Sequence, residues 1–79
     1  MNKKLFVGNL HFDIKDIELE EFFKTVGKVV TAEIVRFFDK KSKGFGFVEM
    51  GNVEEAKAAV EKLNGSEFRG RKIVVNEAR

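Results

Sequence analysis

Hydrophobic positions along this chain change their period several times. Residues 5–10, Leu-Phe-Val-Gly-Asn-Leu, form a short apolar run closed by turn-formers, as a buried strand does. Between residues 16 and 26 the period lengthens, with Leu19, Phe22, Phe23 and Val26 at i, i+3, i+4 and i+7 and acidic residues between them. That is one apolar stripe of a helix. Asp16 and Glu18 suit the positive end of its dipole, whereas Lys15 is a poor N-cap and predicts a first turn that frays. Gly27 is placed to supply a left-handed stop. From Val29 to Phe38, β-branched and aromatic residues alternate in part, with Val30, Ala32 and Ile34 to one face and Thr31, Glu33, Val35 and Phe37 to the other. This is a second strand. After the polar turn Asp39-Lys40-Lys41-Ser42, Lys43 to Met50 alternates again, which predicts a third strand paired with the second as a hairpin. Asn52 with Glu55 resembles a capping box, and Ala56, Ala59, Val60 and Leu63 repeat the helical spacing up to Asn64-Gly65. Ile73, Val74 and Val75 read as a fourth strand, reached through a loop rich in Gly and Arg from which Phe68 folds back onto the core.

The order is therefore βαββαβ, two similar βαβ units forming one domain over residues 1–79. Right-handed crossovers with room for an intervening strand place strands one and three at the centre of a four-stranded antiparallel sheet. One apolar stripe on each helix puts both helices on the same face, an α+β sandwich whose second face is open to water. Alternation sorts the central strands. Leu5 and Val7 point inward, and Lys4, Phe6 and Gly8 outward. On strand three Gly44, Gly46, Val48 and Met50 point inward, and Lys43, Phe45, Phe47 and Glu49 outward. The opposite register would bury Lys43 and Glu49, which costs more than exposing rings. Gly44 and Gly46 then read as small residues that let a helix approach the back of the sheet. Three phenylalanines facing solvent forfeit about 1.5–3 kcal/mol of burial each, so the open face is where a partner is expected.

Composition narrows the partner. The 79 residues contain no Cys and one His, which excludes disulfides, zinc fingers and thiol nucleophiles. A share of 43% apolar against 35% charged residues belongs to a folded chain rather than a disordered one. Apolar runs of a few residues are too short for a membrane span, and the N-terminus lacks the apolar core of a signal peptide. Net charge is only +2, but both helical segments are acidic and the remainder of the chain is basic. Outward rings framed by Lys4, Lys43 and the basic segment 69–72 make a stacking surface with a phosphate-attracting rim. Unpaired bases and phosphates of a single strand satisfy both at once.

Lys43-Gly44-Phe45-Gly46-Phe47-Val48-Glu49-Met50 resembles the ribonucleoprotein octamer of RNA-recognition motif domains, matching seven of its eight positions. Leu5-Phe6-Val7-Gly8-Asn9-Leu10 is similar to the companion hexamer, about 38 residues upstream with the expected helix between. The resemblance covers essentially the whole chain, down to an Asn76-Glu77-Ala78-Arg79 ending like that of small bacterial or glycine-rich members. It implies a ferredoxin-like sandwich that binds single-stranded RNA. By the same resemblance Phe6 and Phe47 each stack on a base, Phe45 packs against sugars, and Lys43 pairs with a phosphate. Groups from Asn76 to Arg79 read base edges, a surface shortened where the chain stops at Arg79. Met50 departs from the octamer's usual aromatic ending, and its inward position makes it a core substitution.

Phe37 and Phe38 are not part of that pattern. Either Phe37 extends the stacking surface by one base, or one of the pair tucks under the hairpin. His11 is read as a surface loop residue, with a base contact as the alternative, and it has no second metal ligand of suitable type nearby. An enzyme is not expected: acylphosphatases of this topology need an Arg after the first strand, and the first Arg here is Arg36. No metal, cofactor or membrane partner is implied. The alternative is a protein-interaction module of the same fold, with a protein partner on the acidic helix face. Single-stranded DNA is a further expected ligand, because stacking ignores the 2′-hydroxyl. A monomer is expected, cytoplasmic in a bacterium and nuclear or cytoplasmic in a eukaryote. Met1 so close to the first strand suits a small free-standing protein, though an excised domain would look the same.

Overall fold

A computed structural model describes residues 2–78. Four strands, β1 (Lys4–Gly8), β2 (Val29–Arg36), β3 (Ser42–Met50) and β6 (Val74–Glu77), form one antiparallel sheet in the order β2-β3-β1-β6. The two helices, α1 (Asp16–Lys24) and α2 (Val53–Leu63), pack on one face, as the apolar stripes require. A small hairpin, β4 (Glu67–Phe68) and β5 (Arg71–Lys72), precedes β6. Its Arg69-Gly70 loop has two positive φ angles in succession, as a type I′ turn does. Strands one and three lie at the centre, as predicted. No helix among the described residues is long and apolar enough to cross a membrane.

The core fills the space between helices and sheet. Leu5 and Val7 of β1, Val48 and Met50 of β3, Leu19 and Phe23 of α1, and Ala56 and Ala59 of α2 are fully buried. Phe22, Val26 and Val60 pack against them, so both helical stripes are used as read. Phe68 stacks on Phe22, with ring centroids 4.1 Å apart and planes within 7°. It is thus folded back onto the core.

Several local expectations are corrected. Val30 points out and is half-exposed, because β2 bulges between Val29 and Thr31 and Val29 takes the inward place instead. β2 ends at Arg36, where Phe37 begins a turn closed by the Lys40 N–H on the Phe37 carbonyl. The last strand runs from Val74, not Ile73, whose N–H and C=O bond to Ser66 and Gly65. Gly27 is not left-handed; α1 ends at Thr25, whose hydroxyl donates to the Phe22 carbonyl at 2.7 Å. A Cβ at Gly27 would instead strike Glu55, whose carboxylate accepts the Lys28 N–H at 2.6 Å. The capping box of α2 is therefore half-formed: Asn52 Oδ1 accepts the Glu55 N–H, and the Glu55 side chain bonds elsewhere. Gly65 does end α2 in the left-handed region.

Lys15 gives α1 no side-chain cap. The first turn is held by the Glu18 carboxylate on the Lys15 N–H and by Asp16 Oδ1 accepting the Ile34 N–H of β2 at 2.8 Å. The second bond also covers an N–H on the edge strand of the sheet.

Candidate nucleic-acid interface

On the face away from the helices, cross-strand pairing aligns Glu33, Phe47, Phe6 and Asn76 in one row, one residue from each strand. The row exists because side chains paired directly across antiparallel strands share a face. Phe45 follows two residues before Phe47 on β3. The three rings form one cluster: centroids are 5.6 Å apart for Phe6 and Phe45, 6.0 Å for Phe6 and Phe47, and 6.2 Å for Phe45 and Phe47. All three are partly exposed, while Leu5, Val7, Gly46 and Val48 beside them are buried. The register read from alternation is the register observed.

Glycines make this surface possible. The Phe6 ring lies over Gly8, where an added Cβ would stand 2.8 Å from Cε2. Gly44 has φ +85°, which shifts the β2–β3 register near the start of β3. At Gly46 a Cβ would be driven into the Glu33 carbonyl oxygen and to 3.1 Å from Ile34 Cα. The reading of these two glycines as clearance for a helix is thereby corrected: one serves a left-handed bend, the other close approach of β2.

Lys4 places its ammonium 5.1 Å from the Phe47 centroid, a cation–π contact. Lys43 reaches in the other direction, 5.1 Å from the Phe37 centroid. Asn76 accepts the Glu77 N–H through Oδ1 at 2.9 Å, so its Nδ2 donors are directed elsewhere. Arg79 lies outside the described residues. Glu33 lies opposite Phe47 on β2 and Glu49 lies two residues past it on β3, opposite Lys4, which places negative charge beside Phe47 at the end away from Phe45 and Lys43.

The basic segment 69–72 departs from its predicted role. Arg69 turns to α1 and pairs with Glu18. The Lys15 N–H bond, and after it the Arg69 guanidinium, hold the Glu18 carboxyl below its ordinary value of 4.5. Arg71 bonds Asn9 through its carbonyl and side chain, and Asn9 Nδ2 donates to the Lys72 carbonyl at 2.7 Å. Asn9 itself takes φ 57°, which Asn tolerates better than most residues. Two of the three basic side chains thus fasten the hairpin to α1 and to the β1–α1 loop.

One residue that sequence reasoning missed lies near the β2–β3 hairpin. Phe12 is 67% exposed, next to His11, whose Nδ1 accepts the Asp13 N–H. Phe37 is 55% and Phe38 fully exposed, so neither tucks under the hairpin. A single ring in a loop carries no period, and exposure was the only signal that could have found Phe12.

Comparison with known proteins agrees with this geometry. Residues 5–74 match the family description "RNA recognition motif". The 28 kDa chloroplastic ribonucleoprotein of Spinacia oleracea is 49% identical over 77 residues, covering 95% of this chain and 33% of that protein. The chloroplastic RNA-binding protein CP31B of Arabidopsis thaliana is 47% identical over 76 residues, covering 95% of this chain and 26% of that one. The chain thus spans about a quarter to a third of these curated relatives. Among solved structures, the Sxl-lethal protein/RNA complex superposes with a TM-score of 0.95 at 31% identity, over all of this chain and 48% of that one. Motif, topology and family match coincide over nearly the whole sequence, and the chain belongs to the RNA recognition motif family.

Proposed function

We propose that the chain binds single-stranded RNA on the open sheet face, with Phe6 and Phe47 stacking on bases and Phe45 packing against sugars. The observation that carries this is the cluster of three solvent-facing rings, mutually within 6.2 Å, on the two central strands. A duplex keeps its bases stacked on one another, so an aromatic surface of this kind suits unpaired nucleotides. Lys43 and Lys4 supply positive charge at the margins of the cluster, and the Asn76 amide supplies donors for a base edge. The carboxylates of Glu33 and Glu49 direct the phosphates toward the Lys43 side. The family membership and the RNA complex of a 31% identical relative support the same reading.

The reading is of a non-enzymatic, monomeric binding domain spanning residues 1–79. Stacking accepts single-stranded DNA as well. The absence of Cys fits a reducing compartment, with the cytoplasm the expected one for a bacterial protein. A protein partner on the outer face of α1 would be lost on charge reversal at Glu20 and Glu21 with RNA binding intact.

Fluorescence anisotropy of a labelled, randomised single-stranded RNA tests the proposal; the label goes on the RNA because the chain has no Trp or Tyr. A folded Phe45→Ala/Phe47→Ala variant is expected to lose about 1–3 kcal/mol per stacked base. Equal binding by wild type and variant would refute the platform.

A further inference from the structure

The exposed rings at the hairpin end have no packing role, yet they are gathered rather than scattered. Phe12 and Phe37 line a cleft of about 550 Å³ together with Asp13, Arg36, Lys40, Lys41 and Ser42. The cleft holds three cations against one carboxylate, and among the described residues none of the four is in an ion pair. Large exposed rings beside unpaired cations are the combination that suits a base with its phosphate, and the aromatic platform on the neighbouring strand favours a nucleotide over an acidic peptide with apolar side chains.

One side chain links the cleft to the platform strand. Lys43, two residues before Phe45 on β3, spans the gap with its ammonium over Phe37. The loop carrying Phe12 is pinned beside β3, because the Leu10 N–H donates to the Gly44 carbonyl at 2.8 Å. At the tip, Arg36 donates to the Lys40 carbonyl at 3.1 Å and the Phe37 N–H to the Lys41 carbonyl at 2.8 Å, which fixes the turn. The rings are therefore presented from ordered backbone, with little left to immobilise on binding.

We propose that Phe12 and Phe37, with Arg36, Lys40 and Lys41, form a second aromatic site that takes a further nucleotide of the same RNA strand as it leaves the platform past Phe45. This rests on the platform reading above and extends the footprint from the sheet face onto the β2–β3 hairpin. A strand too short to pass Phe45 cannot engage the platform and the second site at once, so the second site's contribution depends on length.

The test compares randomised single-stranded RNAs of three and eight nucleotides against wild type, Phe12→Ala/Phe37→Ala and Phe45→Ala/Phe47→Ala, with backbone amide chemical shifts as the readout so that weak binding still registers. Phe12 and Phe37 are both more than half exposed, so their removal leaves the core intact. The hairpin variant is expected to bind the octamer roughly 5- to 150-fold more weakly, the range for one stacked base, and the trimer as wild type does. Wild-type amides of Lys40 and Lys41 should shift with the octamer and stay put with the trimer. Unchanged octamer affinity in the hairpin variant overturns the inference and leaves these rings to a protein partner; equal loss on both lengths overturns it too. If the platform variant binds the trimer as well as wild type does, the platform reading fails instead.

Discussion

A methyl group added at Gly8 would meet only the edge of the Phe6 ring, and a ring at the surface can swing aside. The same methyl at Gly46 would meet the Glu33 carbonyl and Ile34 Cα, backbone that cannot move without parting β2 from β3. The two substitutions should therefore separate binding from stability. Gly8→Ala is expected to leave the melting temperature nearly unchanged, since the entropy gained by replacing a strand glycine, about 0.5–1 kcal/mol, offsets the displaced ring. Its RNA affinity should fall by about 1 kcal/mol, because Phe6 is displaced from its place in the ring cluster. Gly46→Ala is expected to cost roughly 1–3 kcal/mol of stability, as overpacking does. For a domain of this length each kcal/mol is roughly 4–8 °C in thermal denaturation, so the contrast is easily measured. Equal melting temperatures for the two variants would refute the assignment of one glycine to the ring and the other to the backbone.

Helix α1 starts without a side-chain cap, and Glu18 takes over part of that task by accepting the Lys15 N–H and pairing with Arg69. Its folded-state pKa is below the ordinary value of 4.5, so the unfolded chain takes up the proton first as pH falls. The resulting stability is present above pH 4.5 and is lost as pH drops through the lowered folded value. Glu18→Gln should melt below wild type by a constant margin at neutral pH, and that margin should shrink in acid; parallel curves down to acid would contradict the role. None of this was readable from the sequence, which showed a poor N-cap but not the remedy. What could be read were elements with a period: the stripe Leu19, Phe22, Phe23, Val26, and the alternation that put Phe6, Phe45 and Phe47 outward. Period survives folding because it is the geometry of the element itself. The bulge at Val30 depends on which β3 residues lie opposite, and Gly27 answers to Glu55, 28 positions away; neither leaves a local trace. The β4–β5 hairpin has two-residue strands, too short to alternate, and its Arg69 was counted with the phosphate rim although it pairs with a helix.

Both helices are net acidic and the rest of the chain is net basic, although Glu33 and Glu49 lie on the open sheet face and Arg69 pairs with α1. The smallest extent of the molecule is 20 Å. At 0.15 M salt the screening length is about 8 Å, so at that thickness the outer face of α1 is more than two screening lengths from the open sheet face and its repulsion of RNA there is largely screened. At 0.01 M it is about 30 Å, longer than the domain is thick, and repulsion from Glu20 and Glu21 reaches the ligand. Charge reversal at Glu20 and Glu21 should therefore raise RNA affinity at 0.01 M and leave it unchanged at 0.15 M. The loss of the exposed Lys24–Glu20 pair adds little, since such pairs contribute at most about 1 kcal/mol. Over the same range, contact with about three phosphates gives log K against log salt a slope of roughly −2 for a single strand. With Arg69 committed to Glu18, that count rests on Lys4, Lys43 and the cations of the hairpin cleft, so Lys40→Ala/Lys41→Ala should flatten the slope for long strands only. Anisotropy titrations at four salt concentrations measure both quantities. A slope near zero would remove the phosphates from the binding mode, and an affinity change of equal size at both ends of the range would mean that the outer face of α1 touches the RNA directly.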